Sequence, residues 1–187
     1  MRLFVALDLP QETRASIEEL VTKLKKICRG PRWVRLEGVH IALKFIGEVP
    51  DDRAEAIRAA LNEIRGLDPV EMRFAGLGFF PNEKRPRVFW AGIEAGPALA
   101  ALAAAVEAKL EPKGIPRETR EFHPHITLAR IDSMEGVNAL RAAVENASKE
   151  FGRSVAREFY LYRSVLKRGG AEYTRLSAYS FAGDQAS

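Results

Sequence analysis

His40-Ile41-Ala42-Leu43-Lys44-Phe45-Ile46-Gly47 and His125-Ile126-Thr127-Leu128-Ala129-Arg130 are similar segments whose first residues lie 85 positions apart. Each segment begins with a histidine and continues with apolar side chains, which is typical of a strand. Successive side chains of a strand point to opposite faces, so His40 is expected to share a face with Ala42 and Lys44, and His125 with Thr127. If an approximate twofold relates the two halves, both imidazoles face a common cleft.

Apolar periodicity in the rest of the chain predicts strands and helices in a repeated order. Strand, helix, strand, helix and two strands are followed by helix, strand, helix and two strands, and no linker rich in Pro, Gly or Ser divides the halves. This order favours an α+β fold with mixed or antiparallel sheets over a doubly wound parallel sheet. Residues 1–187 are expected to form one domain with two lobes. The predicted strands are 3–9, 39–46, 70–80, 87–93, 125–131, 155–166 and 173–181, and the predicted helices are 11–28, 51–65, 97–110 and 136–148.

Composition and charge narrow the class of protein. The chain has 187 residues, 47% of them hydrophobic, and a formal net charge of +4 that suits an anionic ligand. The single Cys28 excludes an internal disulfide and a cysteine-based metal site, and three histidines make a histidine-rich metal site unexpected. No apolar run approaches the roughly 18 residues that cross a bilayer. A cytoplasmic protein without a membrane partner is therefore expected.

The paired histidines predict acid and base catalysis at a phosphate. An imidazole has an unperturbed pKa of about 6.5, so near neutral pH one ring can accept a proton while the other donates one to a leaving oxygen. The Thr127 hydroxyl can donate to a phosphate oxygen, and a guanidinium such as that of Arg130 can neutralise charge on phosphorus. Simple alternation, however, places Arg130 on the face opposite His125, so that a bulge is needed to bring it into the cleft.

Each candidate also has an ordinary structural interpretation. A histidine in a strand is usually packed or exposed without a catalytic role, and a duplicated structural strand would have similar neighbours. His123 is expected to be structural or to support His125, and Lys44 is expected to be solvated unless it meets a phosphate. Core packing is the default expectation for Trp33, Phe80 and Trp90. A solvated surface is the default expectation for Arg163, Lys167 and Arg168.

Residues 40–49 and 122–130 resemble the paired signature segments of the two-histidine phosphoesterase superfamily, and most closely its RNA 2′,3′-cyclic phosphodiesterase or 2′-5′ RNA ligase family. Residues 2–7 and 87–92 are similar to that family too. The resemblance implies a bilobal fold with a central cleft, no metal or other cofactor, and hydrolysis of an RNA 2′,3′-cyclic phosphate to a 2′-phosphate. By position, His40 would be the general acid and His125 the general base, with Thr127 and Arg130 holding the phosphate.

The resemblance also implies which partners to expect. RNA with a 2′,3′-cyclic phosphate end is the expected substrate, tRNA fragments are candidate ends, and a monomer is the default state. Some members of the family use an RNA 5′-hydroxyl instead of water and so form a 2′,5′ linkage. Water, at about 55 molar, should outcompete a dilute RNA end that the site does not orient, so hydrolysis ranks first.

Ala42 departs from the family pattern, which has Thr or Ser two residues after each histidine. The loss of one donor to the phosphate is worth at most roughly 3 kcal/mol, about a hundredfold in rate. A water molecule or Lys44 could compensate for it, and we expect that Ala42→Thr does not reduce turnover. Two other functions stay open: a non-catalytic protein that binds RNA or a nucleotide, and a phosphodiesterase for small cyclic nucleotides.

Overall fold

The computed structural model describes residues 1–146 and 150–182. Within them lie four helices, α1 to α4, and nine strands, β1 to β9. The helices are Gln11–Ile27, Asp51–Leu61, Pro97–Leu110 and Val137–Glu145, and residues 147 and 148 of the predicted fourth helix lie outside the described residues. The strands are Arg2–Leu7, Arg32–Trp33, Ile41–Glu48, Val70–Phe80, Val88–Ala95, His125–Arg130, Glu150–Ala156, Glu158–Lys167 and Gly170–Ser180.

The described strands form two sheets, and every pairing within them is antiparallel. The four-stranded sheet has the order β3-β1-β8-β9, and the five-stranded sheet the order β2-β6-β5-β4-β7. In each sheet, the strand of a histidine segment pairs with an earlier strand, and a helix lies between the two in the chain. β3 pairs with β1 across α1, and β6 pairs with β5 across α3. The α+β prediction with two lobes is confirmed.

The predicted strand 155–166 is wrong as a single element. The chain forms two strands there, separated at Arg157, because β7 joins the five-stranded sheet and β8 the four-stranded sheet. An apolar pattern does not reveal this change of partner, since both strands keep alternating side chains. Strands β8 and β9 form an antiparallel hairpin, paired from Glu158 and Ser180 to Lys167 and Gly170.

A large hydrophobic core joins the helices to one face of each sheet. Helix α1 contributes Ile17, Val21 and Leu24, which follow one another at spacings of three and four and so lie on one buried face. Leu3 and Val5 in β1 point to the same core, while Phe4 between them points to the opposite face. That opposite face of each sheet, turned away from the core, carries the histidines and is called the histidine face below.

No helix in the described parts of the chain is long and apolar enough to cross a membrane.

Candidate active site

His40 lies directly before β3 on the histidine face of the four-stranded sheet. Its Nδ1 is 2.8 Å from the carbonyl oxygen of Gly38. Aromatic rings surround the imidazole, with centroid distances of 4.2 Å to Tyr162, 5.4 Å to Tyr173 and 5.8 Å to Phe4. These contacts hold the ring in place, and they leave its Nε2 as the nitrogen that Gly38 does not engage.

His125 is the first residue of β6, and its setting repeats that of His40. Its Nδ1 is 2.7 Å from the carbonyl oxygen of His123, again the residue two positions earlier. Its ring lies edge-on to Phe80 at a centroid distance of 4.9 Å. Thr127, two residues along, is half-buried on the same face and is paired with Trp90 of β5.

The two hydrogen bonds assign the same tautomer to both rings. A carbonyl oxygen can only accept, so each Nδ1 carries a hydrogen and donates it. In the neutral ring Nε2 is then an unprotonated base, and in the charged ring it is an acid. Each imidazole can therefore exchange one proton through Nε2 without changing the bond that orients it.

Burial lowers the pKa of both histidines below the ordinary value of 6.5. The charges around the two rings differ. The Asp8 carboxylate raises the pKa of His40, although the Arg14 and Arg175 guanidiniums oppose it. Around His125, the charges of His123 and Arg130 both lower the pKa. A nearby negative charge therefore favours the protonated form of His40 alone.

A β-bulge three residues after each histidine changes the face on which the following side chains lie. In β6, Thr127 pairs with Trp90 and Ala129 with Phe89, so Leu128 is the extra residue. Leu128 and Ala129 are consequently both buried in the core. Arg130 then lies on the histidine face with Thr127 and His125. The bulge that alternation required for Arg130 is present.

The equivalent bulge in β3 corrects the sequence expectation for Lys44. Val5 pairs with Lys44 and Ala6 with Ala42, so Leu43 is the extra residue. Ala42 stays on the histidine face, but Lys44 is turned to the core face beside Val5, and the expectation that it shares a face with His40 is wrong. Phe45 takes the position that Arg130 has in β6, and its side chain is 74% exposed.

Lys44 is in fact part of a buried ion pair. Its Nζ lies 2.8 Å and 2.9 Å from the carboxylate oxygens of Glu107 in α3, and 2.7 Å from the carbonyl oxygen of Pro116. Only 6% of the lysine side chain and 16% of the glutamate side chain are exposed. Lys44 therefore joins β3 to α3 and neither is solvated nor reaches the histidine face.

The structure divides the aromatic residues for which the sequence predicts core packing. Trp33 does pack on Phe89 of the core, and its Nε1 donates to the Cys28 carbonyl at 3.2 Å. Phe80 and Trp90 instead lie half-buried on the histidine face, where both rings contact His123. The core prediction is wrong for these two because each alternates with a core residue, Phe79 and Phe89 respectively.

A polar cluster beside His40 was not anticipated from the sequence. Tyr162 donates a hydrogen bond to Asp8, and burial raises its pKa to about 12, so the phenol stays protonated. Arg175 also donates to Asp8, and its guanidinium carbon lies 3.8 Å from the centre of the Tyr160 ring. The alternation of Tyr160 with Tyr162 was the available signal, since it places two phenols on one face of a predicted strand.

Metal ligands are not gathered in the part of the chain that the structure describes: no three His, Cys, Asp or Glu side chains lie together there in a way that could hold an ion. Two groups of polar side chains on the histidine faces are therefore candidates for the site. His125, Thr127 and Arg130 lie on the five-stranded sheet, and His40 lies with Asp8, Tyr162 and Arg175 on the four-stranded sheet.

Comparison with known proteins gives one family. The model of the 2′-5′ RNA ligase superfamily matches residues 9–167. A protein named RNA 2′,3′-cyclic phosphodiesterase from Archaeoglobus fulgidus is 33% identical over 181 residues, which cover 96% of this chain and 99% of the relative. One of the same name from Thermus thermophilus is 37% identical over 191 residues, covering 98% of this chain and 92% of the relative.

Solved structures agree with the fold. A crystal structure of a Thermus thermophilus protein superposes with a TM-score of 0.78 at 34% identity and covers 99% of this chain and all of the other. Escherichia coli LigT in complex with 3′-AMP gives a TM-score of 0.74 at 28% identity and covers 96% of this chain and 97% of LigT. The same LigT has also been solved with phosphate, with a TM-score of 0.73 at 28% identity and coverage of 96% of both chains.

Proposed function

The chain belongs to the 2′-5′ RNA ligase superfamily, and on that basis we propose that it opens the 2′,3′-cyclic phosphate at the end of an RNA and leaves a 2′-phosphate. The names of the relatives support the substrate class. One observation carries the mechanism: two histidines, each held through Nδ1 by the carbonyl two residues earlier, each followed by a bulge three residues on.

In the proposed reaction His40 is the general acid and His125 the general base. Nε2 of His125 takes a proton from water, whose oxygen forms the new bond to phosphorus. The bond from phosphorus to O3′ breaks, and Nε2 of His40 delivers its proton to O3′. The Asp8 carboxylate supports this division of roles, because it favours a charged His40 against the opposing Arg14 and Arg175 guanidiniums, while the Arg130 guanidinium favours a neutral His125.

Thr127 and Arg130 are proposed to stabilise the charge that develops on the phosphate. A hydroxyl hydrogen bond and a guanidinium directed at the non-bridging oxygens act more strongly in the transition state, where negative charge builds up. The bulge at Leu128 supports this role, since it leaves both side chains on the face that carries His125. No metal ion has a step in this scheme.

Joining of RNA ends is a second outcome of the same chemistry. An RNA 5′-hydroxyl in the place of water would attack the same phosphorus and give a 2′,5′ linkage. The family is described as a 2′-5′ RNA ligase superfamily, which is a reason to test for joining. Water is the more abundant nucleophile, so we propose hydrolysis as the main reaction.

The test uses a short RNA with a 2′,3′-cyclic phosphate end, incubated with the protein in the presence of EDTA. We expect a terminal 2′-phosphate, identified against synthetic 2′- and 3′-phosphate standards. His40→Ala and His125→Ala should each lower the rate by about 10²- to 10⁴-fold. His123→Ala is the matched control, because the hydrogen bond that orients His125 is accepted by the backbone carbonyl of His123, which the substitution keeps, and it should cause a much smaller loss.

Two results would contradict the proposal. Activity that EDTA abolishes would show that a metal ion is needed. RNA binding that weakens with salt, survives both histidine substitutions and yields no product would identify a non-catalytic RNA-binding protein instead.

The pH dependence is a further check. One histidine must be neutral and the other charged, so kcat/KM should have a bell-shaped dependence on pH, with its maximum between the two pKa values. Because burial lowers both pKa values, the maximum is expected on the acidic side of pH 6.5.

A further inference from the structure

Arg175 places a guanidinium on the histidine face of the four-stranded sheet, beyond His40. In β9 it is paired with Tyr162 of β8, and its guanidinium carbon lies 5.9 Å from the centre of the Tyr162 ring. The Tyr162 ring in turn lies 4.2 Å from that of His40. Arg175 is therefore separated from the proposed general acid by the width of one side chain.

One edge of the Arg175 guanidinium is held and the other is available. Its Nη2 donates to Asp8 and lies 3.4 Å from the Tyr162 hydroxyl oxygen, and its plane stacks on Tyr160. Its Nε and Nη1 donate to no group in residues 1–146 or 150–182, and the side chain is 46% exposed. A planar fork that is fixed on one side presents its remaining N–H groups in the geometry that phosphate oxygens accept.

A groove lies next to the two residues that hold Arg175, and strand residues of both sheets line it. Asp8 and Tyr160, both in contact with Arg175, line its near end, and its volume of about 490 Å³ lies in the range of small-ligand sites. The far side comes from Ser154 to Arg157 of the other lobe, with Ser180. Glu158 also lines the groove, but its carboxylate accepts a hydrogen bond from Tyr160 at 2.6 Å.

We propose that Arg175 binds the phosphodiester on the 5′ side of the terminal nucleotide and that this groove receives the preceding nucleotide, so that the protein acts on RNA chains in preference to cyclic mononucleotides. The inference rests on the proposed function. A 2′,3′-cyclic mononucleotide has one phosphate, which His40 and His125 engage. An RNA end has a second phosphate one nucleotide away, and a charge-assisted contact to it is worth roughly tenfold to a hundredfold in kcat/KM.

The first experiment needs no variant. kcat/KM of the wild-type protein is measured with adenosine 2′,3′-cyclic phosphate, with the dinucleotide ApA ending in a 2′,3′-cyclic phosphate, and with the same dinucleotide carrying a neutral methylphosphonate between its nucleosides. We expect the charged dinucleotide to exceed the other two by about tenfold or more. Equal values for the charged and neutral dinucleotides would overturn the inference.

The second experiment assigns the effect to Arg175. Arg175→Gln should lower the ratio of kcat/KM for the charged dinucleotide to that for the mononucleotide by about tenfold to a hundredfold, mostly through KM. The ratio is used because Arg175 also influences the pKa of His40, which affects both substrates alike. Arg163→Gln is the matched control, since Arg163 is an exposed arginine of the same hairpin that points to the other face, and it should leave the ratio unchanged.

An unchanged ratio in folded Arg175→Gln would overturn the assignment of this subsite while leaving the proposed function intact. A wild-type protein that opens none of the cyclic phosphates would overturn the proposed function, and this inference with it.

Discussion

Ala42→Thr is the substitution that most directly tests the equivalence of the two histidine strands. Ala42 and Thr127 each follow a histidine by two residues and precede a bulge, and both are half-buried on the histidine face. A threonine at position 42 would therefore offer the phosphate a second hydroxyl from the opposite lobe. The branched side chain suits a strand, and the cross-strand neighbour, Ala6, is small.

The size of the effect follows from the exposure of the position. A single donor to a developing oxyanion is worth about 10²- to 10³-fold in a preorganised, dry site. Ala42 is only half-buried, so we expect Ala42→Thr to raise kcat by about tenfold to a hundredfold, which is about 1.4 to 2.8 kcal/mol. Thr127→Val, which removes the existing hydroxyl at nearly constant shape, should lower kcat by a similar factor.

The assay measures kcat for an RNA with a 2′,3′-cyclic phosphate end, with thermal unfolding of each variant as the check on folding. Ala42→Val is the control, because valine has the shape of threonine without the hydroxyl. The ratio of the threonine to the valine variant isolates the hydroxyl. If Thr127→Val slows the reaction but the two variants at position 42 turn over equally, position 42 does not face the phosphate, and the argument from the paired bulges is refuted.

Three further predictions concern stability, pH dependence and charge. Lys44→Ala should lower the free energy of unfolding by about 3 kcal/mol, because it leaves Glu107 mostly buried and unpaired. Chemical denaturation should show that Lys44→Met combined with Glu107→Leu recovers most of that loss. If the effects of the two substitutions simply add in the double variant, the pairing is contradicted. Asp8→Asn removes the carboxylate that raises the pKa of His40, so the alkaline limb of the kcat/KM profile should move to lower pH, and a fixed limb would argue against His40 as the acid. Arg130→Gln should lower kcat about a hundredfold and regain part of it with added guanidinium, whereas a change in KM alone would place Arg130 outside the transition-state contacts.

Much of the site follows from local rules that the sequence already contains. Period-two alternation alone places Ala42 with His40 and Thr127 with His125, because neither pair spans a bulge. The repeated order of strands and helices likewise predicts two α+β lobes. Local patterns did not predict the division of residues 155–166 between two sheets, since the partner of a strand is chosen by contacts far away in the chain.

The sequence by itself determined which residues form the two histidine strands. It also determined that the side chain two residues after each histidine lies on the same face as the imidazole. Only the tertiary structure decided that Lys44 is buried against Glu107, that Arg130 lies on the histidine face, and that Arg175 lies beside Tyr162, which contacts His40. The physical reason is that a bulge depends on the hydrogen-bond register with the neighbouring strand. One extra residue, Leu43 or Leu128, reverses the face of the side chains that follow it, as far as the second register shift at Ile46 in β3. That register is set between strands, not within either one.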